Sequence, residues 1–186
     1  MGRLVYSGIG SLDGFVADAA GDFGWSAPDE EVHAHLNERD RAVSLELYGR
    51  RLYEVMRVWE TYGTGPDSHP VERDYGEIWR GRDKVVFSTS LPAIETSRTR
   101  LERSFDPVAV RRLVDEAPGD VNIGGPELAA HALSAGIVDR IEYYATPVIV
   151  GGGTPWLPAG LRLDLRLLEE RRFACGVVHL AYAVTG

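Results

Sequence analysis

Cysteine is nearly absent: Cys175 stands alone among 186 residues, which excludes a disulfide framework and any zinc site built from several thiolates. No apolar run approaches the ~20 residues of a membrane span. The opening MGRLVYSGIG lacks the basic region and long apolar stretch of a signal peptide, so the expectation is a soluble cytoplasmic protein. Lysine is confined to Lys84, and every other basic residue is arginine. So uniform a choice reflects coding-DNA composition, and no single arginine gains weight from it. Positive charge is in deficit as well. With 20 basic and 28 acidic residues the formal net charge is −8, a field that repels polyanions and excludes nucleic acid as a first choice of partner. Also missing are GxGxxG after the first strand, GxxxxGK[ST], HExxH and GxSxG. Among the five histidines, His33, His35, His69, His131 and His179, the first two lie two apart on a predicted helix and diverge. No metal site is therefore expected, and Cys175 reads as a buried structural thiol.

What is present is ordinary for a globular domain, with 44% hydrophobic and 26% charged residues. At roughly 150 residues per domain the expectation is one domain over 1–186. A chain of this length buries about 70% of its unfolded surface without staples. Arg3 to Ile9 reads as a buried strand ending at Gly10. Asp13-Gly14 then makes a turn before Phe15-Val16-Ala17. Pro28 opens a predicted helix with Asp29, Glu30 and Glu31 in its first turn. Ala42 to Tyr48 is a strand, Arg50 to Val58 a helix, and Thr61 to Gly76 a long surface loop rich in Gly, Pro, Asp and Ser. Lys84 to Ser88 and Arg98 to Arg103 are strands. Asp106-Pro107 starts a helix striped by Val110, Leu113, Val114 and Ala117. Val121 to Ile123 leads into Gly124-Gly125, and Pro126 opens a helix that Gly136 closes. Arg140 to Val150, Leu163 to Phe173 and Val177 to Val184 are strands with no helix between them. Alternation followed by strands alone predicts a three-layer α/β fold: a mixed, mostly parallel central sheet, helices on both faces, and antiparallel C-terminal strands.

In such sheets ligands bind beyond the carboxyl ends of the strands. Three strand-to-helix junctions qualify: Tyr48-Gly49-Arg50-Arg51, Phe87-Ser88-Thr89-Ser90 and Ile123-Gly124-Gly125-Pro126. Each offers what a phosphate needs, namely glycine for close approach, helix N–H groups, and arginine or hydroxyl contacts. Each also has a plainer reading, as a turn, a solvated face or a loop. Asp13 and Glu30 are the candidate proton-handling carboxylates. Their alternatives are a turn residue and a helix-dipole partner.

Read in order, Ser11-Leu12-Asp13-Gly14-Phe15-Val16-Ala17, Gly49-Arg50-Arg51-Leu52-Tyr53-Glu54 and Gly124-Gly125-Pro126-Glu127-Leu128-Ala129 resemble the dihydrofolate reductase-like fold. Ala135-Gly136-Ile137-Val138-Asp139 and the run from Thr146 to Pro155, with its Gly151-Gly152-Gly153, extend the likeness. The chain is most similar to the branch holding the reductase domain of bacterial riboflavin biosynthesis and its stand-alone relatives. The resemblance implies an NADPH-dependent reductase of a small heterocyclic, carbonyl or imine substrate, nearest to 5-amino-6-(5-phosphoribosylamino)uracil reductase. It implies that Gly49, Arg50 and Arg51 meet the cofactor phosphates, and that Ser88 and Thr89 meet the adenosine ribose and its 2′-phosphate. Gly124, Gly125, Pro126, Glu127 and Leu128 would cradle the pyrophosphate, with Gly124-Gly125 as a cis peptide. Trp25, Thr146 and Gly152 would border the substrate, Glu30 falling on the carboxylate of folate-reducing members. Dihydrofolate reduction and a non-catalytic nucleotide-binding protein on the same fold are the alternatives. The final strands suggest a homodimer.

Overall fold

The computed structural model describes residues 2–65 and 67–186. Its first strand, β1 (Leu4–Ser11), carries Leu4 and Tyr6 on one side and Val5 and Ser7 on the other, so both sides need a covering layer. Gly14 adopts φ +89 in the Asp13-Gly14 turn, a conformation that suits glycine. The turn leads to β2 (Phe15–Ala17), which pairs antiparallel with β8 (Thr154–Pro155). Helix α1 (Glu30–Asp40) starts two residues later than Pro28, because the Asp29 carboxylate caps it by accepting from Val32 N at 2.9 Å. Then follow β3 (Val43–Gly49), α2 (Arg50–Met56) and a 3₁₀ turn over Arg57–Glu60.

The stretch predicted as a loop to Gly76 is shorter than the sequence suggested. Helix α3 (Pro70–Gly81) occupies its second half. Gly76, which reads as a breaker, sits where the helix touches its neighbours: a Cβ there would lie 3.0 Å from Tyr62 O. Beyond α3 come β4 (Asp83–Phe87), β5 (Thr99–Glu102), α4 (Pro107–Glu116), β6 (Asp120–Gly124), α5 (Pro126–Ser134) and β7 (Arg140–Thr146). The chain ends in the hairpin of β9 (Leu165–Arg172) and β10 (Val178–Val184). Cys175 lies in its turn and is exposed, a correction to the buried thiol expected: a hairpin tip has nothing packed over it.

The main sheet has eight strands in the order β5-β4-β3-β6-β1-β7-β10-β9. All pairs from β5 to β7 are parallel, and the two involving β10 are antiparallel. The architecture is thus the three-layer α/β fold expected. One face packs Leu4, Tyr6, Leu47, Val85 and Ile123 against Val110 and Val114 of α4 and Leu128, Ala129 and Leu133 of α5. The other is covered by α1, α2 and α3. There Val32 meets Tyr144 and Phe173, Tyr53 meets Tyr48 and Val86, and Trp79 Nε1 donates to Tyr48 Oη at 3.2 Å.

That second face is partly polar. Glu46, Lys84, Arg82, Glu142 and His179 are all buried on it or at its edge. Buried charge persists only when paired and hydrogen-bonded. Arg82 ion-pairs with Glu46 and Asp40; Lys84 Nζ donates to Trp79 O and Arg82 O and lies 4.1 Å from the Trp79 ring centroid.

Candidate functional site

Parallel strands β4, β3, β6, β1 and β7 end on one edge of the sheet. Register aligns Gly49 with Phe87 and Tyr48 with Gly124, so the three phosphate-ready junctions lie side by side. After β3 the chain passes to α2 on one face; after β6 it passes to α5 on the other. Open α/β sheets bind ligands at such a switch point, and Gly49 and Gly125 stand on the two sides of this candidate crevice. A Cβ on Gly125 would lie 3.7 Å from Gly49 N.

Helices α1 and α4 are capped by the Asp29 and Asp106 side chains, whereas α5 has Gly125 at its N-cap and no side-chain cap. Its first-turn N–H groups are left for another acceptor. Gly125 has φ +93 and ψ 123, which a side chain would oppose. The Gly124-Gly125 bond is trans, as are the other peptide bonds among the described residues, so the cis peptide implied by the resemblance is not found. Arg51 of α2 reaches Glu127 of α5 at 3.0 Å across the crevice, and Arg50 pairs with Glu54 at 3.0 Å. Both pairs are exposed and therefore weakly held, so a phosphate can compete for either guanidinium. Pro126 and the buried Leu128 anchor α5 behind the turn.

At the third junction the Ser88 hydroxyl accepts from Ser90 N and Leu91 N at 3.2 and 2.9 Å, closing a tight turn with Thr89 exposed. Arg103, to which the sequence reading gave no role, donates to Ser88 O and Leu91 O at 3.1 and 2.7 Å. It adds a cation there. Nothing in its local sequence marks it; the parallel pairing of β5 with β4 brings it in.

Of the residues expected at the substrate end, Asp13, Thr146 and Gly152 lie at or just beyond the ends of β1 and β7. Asp13 accepts from Val150 N at 3.2 Å and Gly151 N at 2.8 Å, tying the glycine loop to the β1–β2 turn. Hydrogen bonding from Ser11 and these amides holds its carboxyl below the ordinary range. Tyr143, which donates to Ser11 O at 2.5 Å, is pushed up to about 12 by burial and the Asp13 charge, so its phenol keeps its proton. Thr146 is buried, its hydroxyl donating to Gly10 O at 2.9 Å. Gly152 faces open space. Trp25 is half-buried and donates from Nε1 to Asp22 O at 3.1 Å.

Glu30 stands at the start of α1 with its carboxylate exposed, 3.9 Å from His69 Nε2. No hydrogen bond joins it to Thr146 among the described residues. Its neighbour Glu31 turns instead toward the β9–β10 turn, accepting from Ala174 N at 3.1 Å and Arg171 Nη2 at 3.3 Å.

The family described as RibD C-terminal domain matches residues 4–179. An uncharacterised protein, YyaP, of Bacillus subtilis strain 168 is 25% identical over 188 aligned positions, covering 99% of this chain and 96% of its own. A putative riboflavin biosynthesis protein from Shewanella sp. PV-4 superposes with TM-score 0.73 at 18% identity, covering 100% of both chains. A dihydrofolate reductase from Enterococcus faecalis, solved with NADP(H), superposes with TM-score 0.65 at 12% identity, over 99% of this chain and 97% of that one. At these identities the structural likeness speaks for the fold. Among the described residues no helix is long and apolar enough to cross a membrane.

Proposed function

This chain belongs to the RibD C-terminal domain family, a family of reductases related to riboflavin biosynthesis, and we propose that it is an NADPH-dependent reductase of a small heterocyclic, carbonyl or imine substrate. The observation that carries the reading is the placement of Gly49, Ser88 and Gly125 along one edge, at the ends of neighbouring parallel strands. From β4 to β7 that edge spans four strand spacings, roughly 19 Å at ~4.8 Å each. An extended dinucleotide can lie along such a row. The α5 amides and Arg51 would take the pyrophosphate. Arg50 would add a second phosphate contact, and Ser88, Thr89 and Arg103 would take the adenosine end and a 2′-phosphate.

When bound, the cofactor supplies a hydride, and the protein's part is to hold the acceptor against it and exclude water. Asp13 contributes as a positioning residue. Its carboxylate fixes the Val150-Gly151 amides, and with them the open face at Gly152, while staying ionised at neutral pH. Thr146 and Trp25 border the same end, and Glu30 supplies a free carboxylate for N–H groups of a heterocycle. The proposed substrate class is that of 5-amino-6-(5-phosphoribosylamino)uracil. The exposed free Cys175 agrees with a reducing, cytoplasmic setting. The edge strand β9 exposes Leu165, Leu167 and Leu168 among five charged residues, and pairing or packing of this edge across a two-fold axis would make a homodimer.

A fluorescence titration with NADPH, followed by absorbance assays with the pyrimidine substrate and with dihydrofolate, tests the reading. Saturable binding and oxidation of NADPH by the pyrimidine are the expected results. Turnover of dihydrofolate alone, abolished by Glu30→Gln, would transfer the assignment to folate reduction. Binding without turnover of any carbonyl, imine or pterin would leave a nucleotide-binding protein, and absence of binding would remove the proposal.

A further inference from the structure

Below the substrate end, on the helix-covered polar face, a second constellation stands apart from the proposed cofactor crevice. His35 comes from α1, His179 from β10 and Glu169 from β9. One donor atom from each lies within 4.8 Å of the other two. His179 pairs in register with Tyr144, two positions before Thr146 on β7, so the cluster sits one layer beneath the candidate substrate residues.

The unused valences converge. His179 is fully buried; its Nε2 is 3.2 Å from Glu142 Oε2, while its Nδ1 has no hydrogen-bond partner among the described residues. A buried imidazole nitrogen without a partner is destabilising, and a ligand would relieve that cost. His35 commits Nδ1 to Tyr144 Oη at 3.0 Å, leaving Nε2 free. Glu169 accepts from Arg39 at Oε2 at 2.8 Å, and among the described residues its other oxygen takes no hydrogen bond. Each histidine therefore has its second nitrogen fixed by an outer partner, a carboxylate for one and a phenol for the other. That is the arrangement found around metal-bound imidazoles, where the outer bond sets tautomer and ring orientation.

We propose that His35, His179 and Glu169 form a binding site for a zinc-class divalent cation, through two imidazole nitrogens and one carboxylate oxygen. Three such ligands suit zinc, with a water in the fourth position, better than calcium or magnesium, which prefer oxygen throughout. Donors around tetrahedral zinc stand about 3.3 Å apart, so the half-exposed Glu169 must swing inward by an ångström or so. Being only half-buried, His35 and Glu169 also leave a path of entry. The nearby guanidiniums of Arg39, Arg140 and Arg171 are paired with Glu142, Glu169 and Glu31, so the site does not face bare positive charge. A bound ion would pin α1, whose first turn carries Glu30, to the C-terminal hairpin.

The test is zinc titration of the chelator-treated full chain, with cobalt as a spectroscopic substitute. One Zn²⁺ per chain and a tetrahedral Co²⁺ absorption are expected. Affinity should fall at least tenfold in His35→Gln and Glu169→Gln, and about 10–100-fold in Glu142→Gln, which removes the outer carboxylate. His179→Ala can fail to fold, so the first two variants carry the test, with circular dichroism in chelator confirming that they are folded. Failure of the wild type to take up Zn²⁺ in molar excess would overturn the proposal. So would uptake undiminished in both His35→Gln and Glu169→Gln.

Discussion

Replacing Gly125 by alanine separates the phosphate-binding role of the β6–α5 turn from its contribution to stability. At φ +93 and ψ 123 the residue occupies backbone space that a side chain opposes. The space around it is adequate: an added Cβ would meet Leu52 Cβ at 3.6 Å and Gly49 N at 3.7 Å, both ordinary contacts. The penalty is therefore one of backbone conformation, of order 1–3 kcal/mol. In a domain of this size ~2 kcal/mol lowers Tm by about 4–8 °C. If the backbone relaxes to avoid the strain, the α5 amides turn away from the crevice. Losing one charge-assisted hydrogen bond, at about 1.5–3 kcal/mol, raises the NADPH Kd roughly 10–100-fold. Gly136→Ala is the control. It lies just past the other end of α5, has φ +66 and faces open space, so it costs a comparable 1–2 kcal/mol far from the crevice. Thermal melts and NADPH fluorescence titrations on both variants, well below their Tm, make the comparison. Equal loss of affinity in the two, or unchanged affinity in Gly125→Ala, would refute the assignment of this turn to the phosphates.

Arg50→Ala and Arg51→Ala each remove a cation whose partner is exposed. Stability should change by less than about 1 kcal/mol, while NADPH affinity falls roughly 10–100-fold and becomes less salt-dependent; unaltered Kd values would exclude these arginines. Asp13→Asn weakens the acceptor for Val150 N and Gly151 N, so faster hydrogen exchange at those amides and a lower kcat/KM with NADPH Kd retained are expected. Unchanged exchange would show that the clamp is unimportant. Burial lowers the Lys84 ammonium from 10.5 to about 8, so between those values the unfolded chain binds a proton that the folded one has released. Stability contributed by this group therefore rises with pH from 8 to 10.5, by at most about 3 kcal/mol. Denaturant titrations should show that rise, and Lys84→Met should lack it.

How far the sequence could be read depends on whether a residue's partner lies nearby in the chain. The largely parallel sheet followed from alternation, and the start of α4 from Asp106-Pro107, because those signals are complete within a few residues. At α1, Pro28 drew the expected start two residues early, and Asp29, placed in the first turn, is the cap. Helix α3 was hidden for a local reason. Pro70 and Gly76 read as breakers, although Val71, Tyr75, Ile78 and Trp79 form a helical stripe. The glycine is there because α3 comes close to Tyr62 O, a contact no window of sequence contains. The buried charges were hidden for a different reason. Glu46 in Ser-Leu-Glu-Leu-Tyr and Glu142 in Arg-Ile-Glu-Tyr-Tyr have the period-2 pattern of strands with one wet face. Only the tertiary placement of Asn122, Arg82, Arg39 and His179 shows that this face is dry and paired. Arg103 and the His35–Glu169–His179 cluster share that property. Metal-ligand spacing searches look for donors within one element, and here α1, β9 and β10 supply one each. The same reasoning limits the candidate cleft. Gly49, Ser88 and Gly125 stood out as candidates because each junction carries its own glycine or hydroxyl signature. Whether Glu30 and Thr146 act together depends on an angle between α1 and β7 that no run of residues encodes. Among the described residues no hydrogen bond joins that pair, so the pyrimidine and dihydrofolate assays on Glu30→Gln are the measurements that bear on it.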